Sequence, residues 1–315
     1  MSRRRFPFSL WLLAATAALA LCQLVPGIGG VLTAMLAIFW PMVLVNAAMV
    51  GVALESVGGA VDRRWLALPA LFYLGYAGWA LVDASRVGAD VAEAARRNAA
   101  AGVNFDPARD TLVLSGDQAA TRARWLARHR GATVQVAAPG GRTLAIRAVG
   151  RRTCDALARD NAGGGTTFES IYQGWLPGPP PIGCFVIQSA RAAARATRVT
   201  FDDDGTGWNR IAAVTMWVEN EAGRRVSLTG GVANRLAWLP LPYAGCDDHG
   251  PGGARRCGAG FLRLRRTAIG TGGPIANAAE RLLAEKLGLP ERALRDDDGG
   301  GLTPAHAPSS AARNP

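Results

Sequence analysis

Residues 6–25 read FPFSLWLLAATAALALCQLV, residues 28–54 read IGGVLTAMLAIFWPMVLVNAAMVGVAL, and residues 65–82 read WLALPALFYLGYAGWALV. None of these runs contains a charged residue. A helix rises 1.5 Å per residue, so about 20 residues cross roughly 30 Å of hydrocarbon. The first two runs meet that length and the third just reaches it. A core helix of a globular protein keeps one polar face, and these keep none. The expectation is three spanning helices within residues 1–83, a single α+β domain with a mainly antiparallel sheet over 84–295, and a disordered tail over 296–315.

Arg3, Arg4 and Arg5 precede the first run, and Leu10 to Leu21 would serve as the apolar stretch of a signal peptide. Leu19-Ala20-Leu21-Cys22 has the outline of a lipoprotein cleavage box, but Leu21 stands where a small residue is wanted. An uncleaved anchor is the better reading. Arg63 and Arg64 lie between the second and third runs, whereas Pro26 to Gly30 carry no charge. Arginine placement therefore assigns the N-terminus and the 56–64 loop to the cytoplasm of a bacterial inner membrane, and everything after Asp83 to the periplasm. Pro41 is expected to kink the second span. Trp40, Trp65, Trp79, Tyr73 and Tyr76 suit either interfacial anchoring or helix packing. Gln23 and Asn46 within the runs, with Glu55 at a helix end just past the second, are too few for an ion path. Gly51, Gly58, Gly59, Gly75 and Gly78 point to close helix packing instead.

Five cysteines agree with this topology. Cys22 falls in the first run, and Cys154, Cys184, Cys246 and Cys257 all fall on the oxidising side. Three connectivities are open, of which sequential pairing, Cys154–Cys184 and Cys246–Cys257, is simplest. Each bridge would add about 3 kcal/mol by restricting the unfolded chain. The rival for Cys246-Asp247-Asp248-His249 and Cys257 is a metal site, but the paired C-x-x-C spacing of zinc sites is missing.

In the outer segment, Arg86 to Ala101 reads as a continuation of the third span or as a short juxtamembrane helix. A strand is expected at Thr111–Ser115, then a helix from an Asp117 cap to His129, stopped by Gly131. Its apolar stripe is Ala119, Ala120, Ala123, Leu126 and Ala127. The other side carries Arg122, Trp125 and His129, a candidate binding face because a tryptophan beside cations favours stacking. Strands at Thr133–Ala137 and Thr143–Val149 flank Pro139-Gly140-Gly141 as a hairpin. Thr166–Glu169 reads as a capping box, with Phe168, Ile171, Tyr172 and Trp175 on one helical face. Pro177–Gly183 reads as a rigid connector. Strands follow near Cys184–Gln188, Arg198–Asp202, Arg210–Glu219, Arg224–Thr229 and Gly260–Thr267, with a turn at Glu221-Ala222-Gly223. The last helix runs from Ile275 to Leu287.

Composition limits the function classes. At 49% hydrophobic and 7% aromatic, the chain is neither collagen, a disulfide miniprotein nor wholly disordered. Net charge is +11, yet Lys286 is the only lysine, so arginine here partly reflects codon preference. No phosphate-cradling loop, G-x-S-x-G elbow or H-E-x-x-H helix occurs, and no cofactor is implied. Asp202-Asp203-Asp204-Gly205 is better read as a turn than as a calcium loop, because Ala213 stands where a twelfth acidic ligand would. Arg263, Arg265 and Arg266 place charge on one strand, a surface suited to anionic lipid or an anionic envelope polymer rather than nucleic acid. The leading expectation is a membrane-anchored domain that binds an envelope protein, polymer or lipid. The alternatives are a membrane-bound enzyme using His249, Asp247 and Asp248 in the Cys246–Cys257 loop, and a subunit of a transport or secretion assembly.

Overall fold

The computed structural model describes residues 6–24, 40–138, 141–161, 164–172, 181–203, 210–247, 256–270, 274–292 and 294. The expected features at residues 25–39, Pro139-Gly140, Trp175, most of the proline connector, Asp204-Gly205, Asp248-His249 and the 296–315 tail lie outside them. Element order follows the alternation of apolar runs and two-faced strands. Helices α1 (Ser9–Gln23), α2 (Trp40–Val57) and α3 (Ala67–Ala100) come first, with a short 3-10 turn at Arg63–Leu66 before α3. Then follow β1 (Thr111–Gly116), α4 (Ala119–Arg130), β2 (Val134–Ala137), β3 (Thr143–Gly150), α5 (Arg151–Asp160) and β4 (Thr166–Ile171). The chain continues through β5 (Gly183–Ala190), β6 (Ala196–Asp203), β7 (Ile211–Glu219) and β8 (Arg225–Arg235). It ends with β9 (Pro242–Asp247), β10 (Arg256–Phe261), β11 (Arg265–Ile269) and α6 (Ala278–Lys286).

The fold is α+β. A nine-stranded sheet has the order β11-β8-β7-β6-β1-β2-β3-β5-β4, and β9 and β10 form a separate hairpin. The large sheet is mixed: β1 runs parallel to β2 and to β6, while β11–β8, β2–β3, β3–β5, β4–β5 and β6–β7 pair antiparallel. Among the described residues two helical stretches, Trp40–Val57 and Arg63–Ala100, are long and apolar enough to cross a membrane. The Ser9–Gln23 helix is shorter than that requirement.

The chain divides into two compact units. One comprises residues 1–95, 204–213 and 231–275, and the other residues 96–203, 214–230 and 276–315. In the first, α1 and α2 run antiparallel. The Glu55 carboxylate near the end of α2 accepts the backbone N–H groups of Phe8 (2.8 Å) and Ser9 (3.0 Å) at the start of α1. These are donors that a helix start otherwise leaves unpaired. Gly51 permits the approach, since a Cβ there would collide with the Ser9 hydroxyl. Gly75 and Gly78 play no such part: a Cβ at either would meet nothing within 4 Å among the described residues. A small apolar cluster of Val87, Ala94, Ala233 and Ile269 lies further along this unit.

The core of the second unit is built on strand alternation. Leu112 and Leu114 of β1, Val134 and Val136 of β2, Val199 and Phe201 of β6, and Met216 and Val218 of β7 are buried on one face. Against them pack Ala123, Leu126 and Ala127 of α4 and Leu282, Leu283 and Ala284 of α6. Each large side chain so buried contributes roughly 1.5–3 kcal/mol. Gly131, at φ 64°, ends α4 where expected. The start of that helix departs from expectation. Gln118, in the left-handed region, occupies the cap, and the Asp117 carboxylate instead accepts the Asp203 N–H at 3.2 Å.

Two further segments differ from the sequence reading. Thr166–Ile171 is a strand, not a capped helix; it pairs antiparallel with β5 from Thr166↔Gln188 to Ile171↔Gly183. β-Branched Thr166, Thr167 and Ile171 favour that state once a partner edge exists. Arg151–Asp160, unassigned in the sequence, is helix α5. Its Cys154 and Leu157 pack on a satellite cluster of Val149, Cys184 and Val186, and Cys154 is disulfide-bonded to Cys184. The last strand region is also interrupted, with β10 and β11 separated by Leu262–Leu264.

Candidate functional site

The residues expected on the outer side of α4 separate into two kinds. Arg122 is buried, not exposed. Its guanidinium donates to Glu280 of α6 through Nη1 at 2.5 Å and approaches Asp203 through Nη2 at 3.4 Å. Its Nε donates to the Asp117 carbonyl, and the group lies 4.7 Å from the Phe201 ring centroid. Every face of this cation is occupied by the fold. Trp125 and His129 do come together: the rings stack with centroids 4.7 Å apart and an 18° interplanar angle. Trp125 also packs on the main core. His129 Nδ1 lies 3.0 Å from the Trp125 carbonyl, and partial burial pushes the imidazole pKa down from its ordinary 6.5. The ring is held by its own helix, and the Glu291 carboxylate, whose charge acts in the opposite sense, does not outweigh burial.

The three arginines near the chain end do not form one charged face. Arg263 lies between β10 and β11 and grips Asp83 with both nitrogens, at 2.8 and 2.9 Å, while also donating to the Asn234 carbonyl. Arg265 stacks over Trp238 at 4.1 Å. Arg266 is exposed. Backbone register sets Cys246 of β9 directly opposite Cys257 of β10. His249 and Asp248 lie outside the described residues, so the loop-enzyme alternative has no described geometry. Cys22 is an exposed free thiol.

Two clefts among the described residues of the second unit carry charged side chains that face one another or the sheet surface. One, of about 450 Å³, opens where β1 and β6 begin and β7 ends. It is lined by Asp106, Asp110, Arg195, Asn220 and Glu221 among others. Its charges answer each other: Arg195 Nε is 3.4 Å from both Asp110 and Glu221, and an Asp110 oxygen accepts the Asp106 N–H. It also sits at the amino ends of the parallel strands, whereas ligands of α/β sheets gather at the carboxyl ends. The geometry is that of a tied-down turn.

The other cleft, of about 150 Å³, lies on the sheet face opposite the main core. Strand alternation that buries Val199 and Phe201 turns Arg198 and Thr200 outward, and the same alternation brings up Trp217 and Glu219 of β7 and Ser115 of β1. The Arg225 guanidinium lies 4.4 Å over the Trp217 ring, and the Ser115 and Thr200 hydroxyls are 3.0 Å apart. The cleft thus carries two guanidinium groups, a carboxylate, a tryptophan ring and a pair of hydroxyls. No histidine or cysteine lines the cleft, and among the described residues no group of three His, Cys, Asp or Glu side chains is placed to hold a metal. The sequence reading did not single out Arg198, Trp217 or Arg225. Their signal was the period-two pattern of β6 and β7, which identifies an outward face but not which strands share it.

Comparison of the chain with family models, with curated proteins and with solved structures finds no match.

Proposed function

We propose that the chain is a bacterial inner-membrane protein in which three N-terminal helices anchor an extracytoplasmic α+β domain, and that the domain binds an acidic envelope component. The observation that carries the binding role is the cleft of Arg198, Trp217, Arg225, Ser115 and Thr200 on the uncovered sheet face. Its paired guanidinium groups select a carboxylate- or phosphate-bearing partner, and Trp217 supplies a flat apolar contact.

Anchoring rests on the three uncharged runs and is supported by how α1 and α2 meet. Glu55 on the start of α1 brings together the end of α1 that follows Arg3–Arg5 in sequence and the end of α2 that precedes Arg63–Arg64, as antiparallel crossings with a cytoplasmic N-terminus require. Cleavage of the first run as a signal would remove α1 and leave the Glu55 carboxylate without those partners. Conduction is disfavoured because polar side chains of α2 are committed: Asn46 donates to the Met42 and Pro240 carbonyls and accepts from Tyr73, and Glu55 caps α1.

A phosphatase reporter fused after Asp83 is expected to be active only in the periplasm, and cytoplasmic activity would overturn the topology. A photo-crosslinker at Thr200 should capture an envelope component in cells, and Arg198→Glu with Arg225→Glu should abolish the adduct. Capture that is indifferent to this charge reversal would refute the binding role.

A further inference from the structure

Resting on the reading of α1–α3 as membrane helices, we infer that residues 236–241, Leu-Ala-Trp-Leu-Pro-Leu, form a re-entrant segment in the outer leaflet, with Trp238 at the headgroup boundary and Leu239 against lipid acyl chains. Depth comes from the hydrogen bonds that hold the segment. Tyr76 donates its hydroxyl to the Ala237 carbonyl at 2.9 Å, and Asn46 donates to the Pro240 carbonyl at 2.8 Å. Tyr73, which donates to Asn46 at 3.0 Å, marks the same level on α3. Tyr76 and Tyr73 precede Asp83 by seven and ten positions, or about 10 and 15 Å along a helix rising 1.5 Å per residue. Asp83 is the first charge after the third run, so these contacts lie well inside a hydrocarbon layer of roughly 30 Å.

Irregular backbone at that depth survives only when its polar groups are satisfied within the protein. Three of the segment's carbonyls meet that condition, and the Leu236 and Ala237 N–H groups donate to the Asp83 carboxylate and the Leu262 carbonyl. The carbonyls of Ala237 and Pro240 take the two side-chain donors, and the Leu241 carbonyl accepts the Leu262 N–H at 2.9 Å. Two polar residues in otherwise apolar helices thereby acquire a purpose.

Side-chain placement then assigns the occupant. Leu236, Ala237 and Pro240 are buried against the protein, whereas Trp238 and Leu239 are 73% and 51% exposed. Two adjacent large apolar side chains facing outward from a segment held at this depth meet lipid. Arg265, stacked over Trp238, fixes the upper edge: a tryptophan beside a snorkelling cation is the pairing of the membrane–water boundary.

Spin labelling of the full-length protein in phospholipid nanodiscs tests this. Leu239→Cys is labelled in a Cys22→Ser background without reductant, with the background protein as blank. Leu74→Cys, on an exposed position of the third run, serves as the lipid reference, and Thr200→Cys as the aqueous one. Oxygen access with loss of nickel-chelate access at position 239, matching position 74, is the expected result. Nickel access equal to that at position 200 would overturn the inference, as would a label shielded from both reagents, which would mean a protein partner covers the segment. Position 74 itself behaving as aqueous would instead defeat the membrane reading on which the inference stands.

Discussion

Replacing Arg122 by methionine keeps most of the stem volume and removes the charge. What remains is Glu280, whose side chain is only 8% exposed, facing the vacated position of a partner itself 6% exposed. Breaking a buried pair by deleting one member costs about 3–5 kcal/mol, because the surviving charge is neither hydrated nor compensated. The loss of the Nε bond to the Asp117 carbonyl and of the contact over Phe201 falls within that range. Asp203 adds little, being a quarter exposed and 3.4 Å away. At about 2–4 °C per kcal/mol for a body of this size, the melting temperature should fall by roughly 6–20 °C. Thermal unfolding followed by tryptophan fluorescence in detergent measures it, with Trp125 and Trp217 reporting on the unit concerned. Arg122→Met combined with Glu280→Leu should recover most of the loss, since an apolar pair of similar volume is often neutral or better. If the single variant melts within about 2 °C of the parent, or the double variant is worse than the single, the reasoning about Arg122 as a structural cation is refuted.

Other expectations are briefer. Cys184→Ala opens a bridge between residues 30 apart in sequence and should cost about 3–4 kcal/mol on the loop-entropy estimate, read as a lower melting temperature and matched by reductant. His129 is held below its ordinary pKa of 6.5 by burial, so its contribution is complete above that pH and is lost as pH falls through the folded value. His129→Phe should flatten the stability profile on the acid side of 6.5, and an unchanged slope would show the histidine uninvolved. Glu169 is held below its ordinary 4.5 chiefly by the bidentate bond from Arg124, so its contribution is present above 4.5 and disappears as pH falls through the lowered value. Glu169→Gln should remove that acid-limb dependence; a titration of the variant identical to the parent would contradict the assignment.

Much of this architecture was legible because it is local. Period-two alternation marks β6 and β7, β2 and β3 pair antiparallel as the expected hairpin strands, and Gly131 stops α4. Asp83 marks the end of the apolar stretch locally, whereas its partner Arg263 lies 180 residues further on. What failed was non-local. Arg122 was read as outward because it is charged, although it stands four positions before Leu126 on the same buried stripe. Its burial depends on Glu280, 158 residues later. Phe168, Ile171 and Tyr172 fit a helix by spacing, and only the edge offered by β5 decides for a strand. Helix α5 escaped notice because two anchors, Cys154 and Leu157, are all that a highly charged ten-residue segment shows the core. Likewise, Trp217 and Arg198 share a cleft because β7 lies beside β6, a neighbour relation that no single strand encodes.

The bonds from Asn46 to Pro240 and from Tyr76 to Ala237 also set a timetable for biogenesis. Their partners are separated by 194 and 161 residues. At about 5–20 residues per second, the longer interval takes roughly 10–40 s of synthesis. On the membrane reading, α2 and α3 leave the ribosome long before the carbonyls they serve exist. During that wait Asn46 and Tyr73 can satisfy one another, but Tyr76 has no carbonyl from the later segment to meet. A nascent chain arrested before Leu236 is therefore the species most dependent on the insertion machinery, and the one whose helices should be easiest to extract from the bilayer.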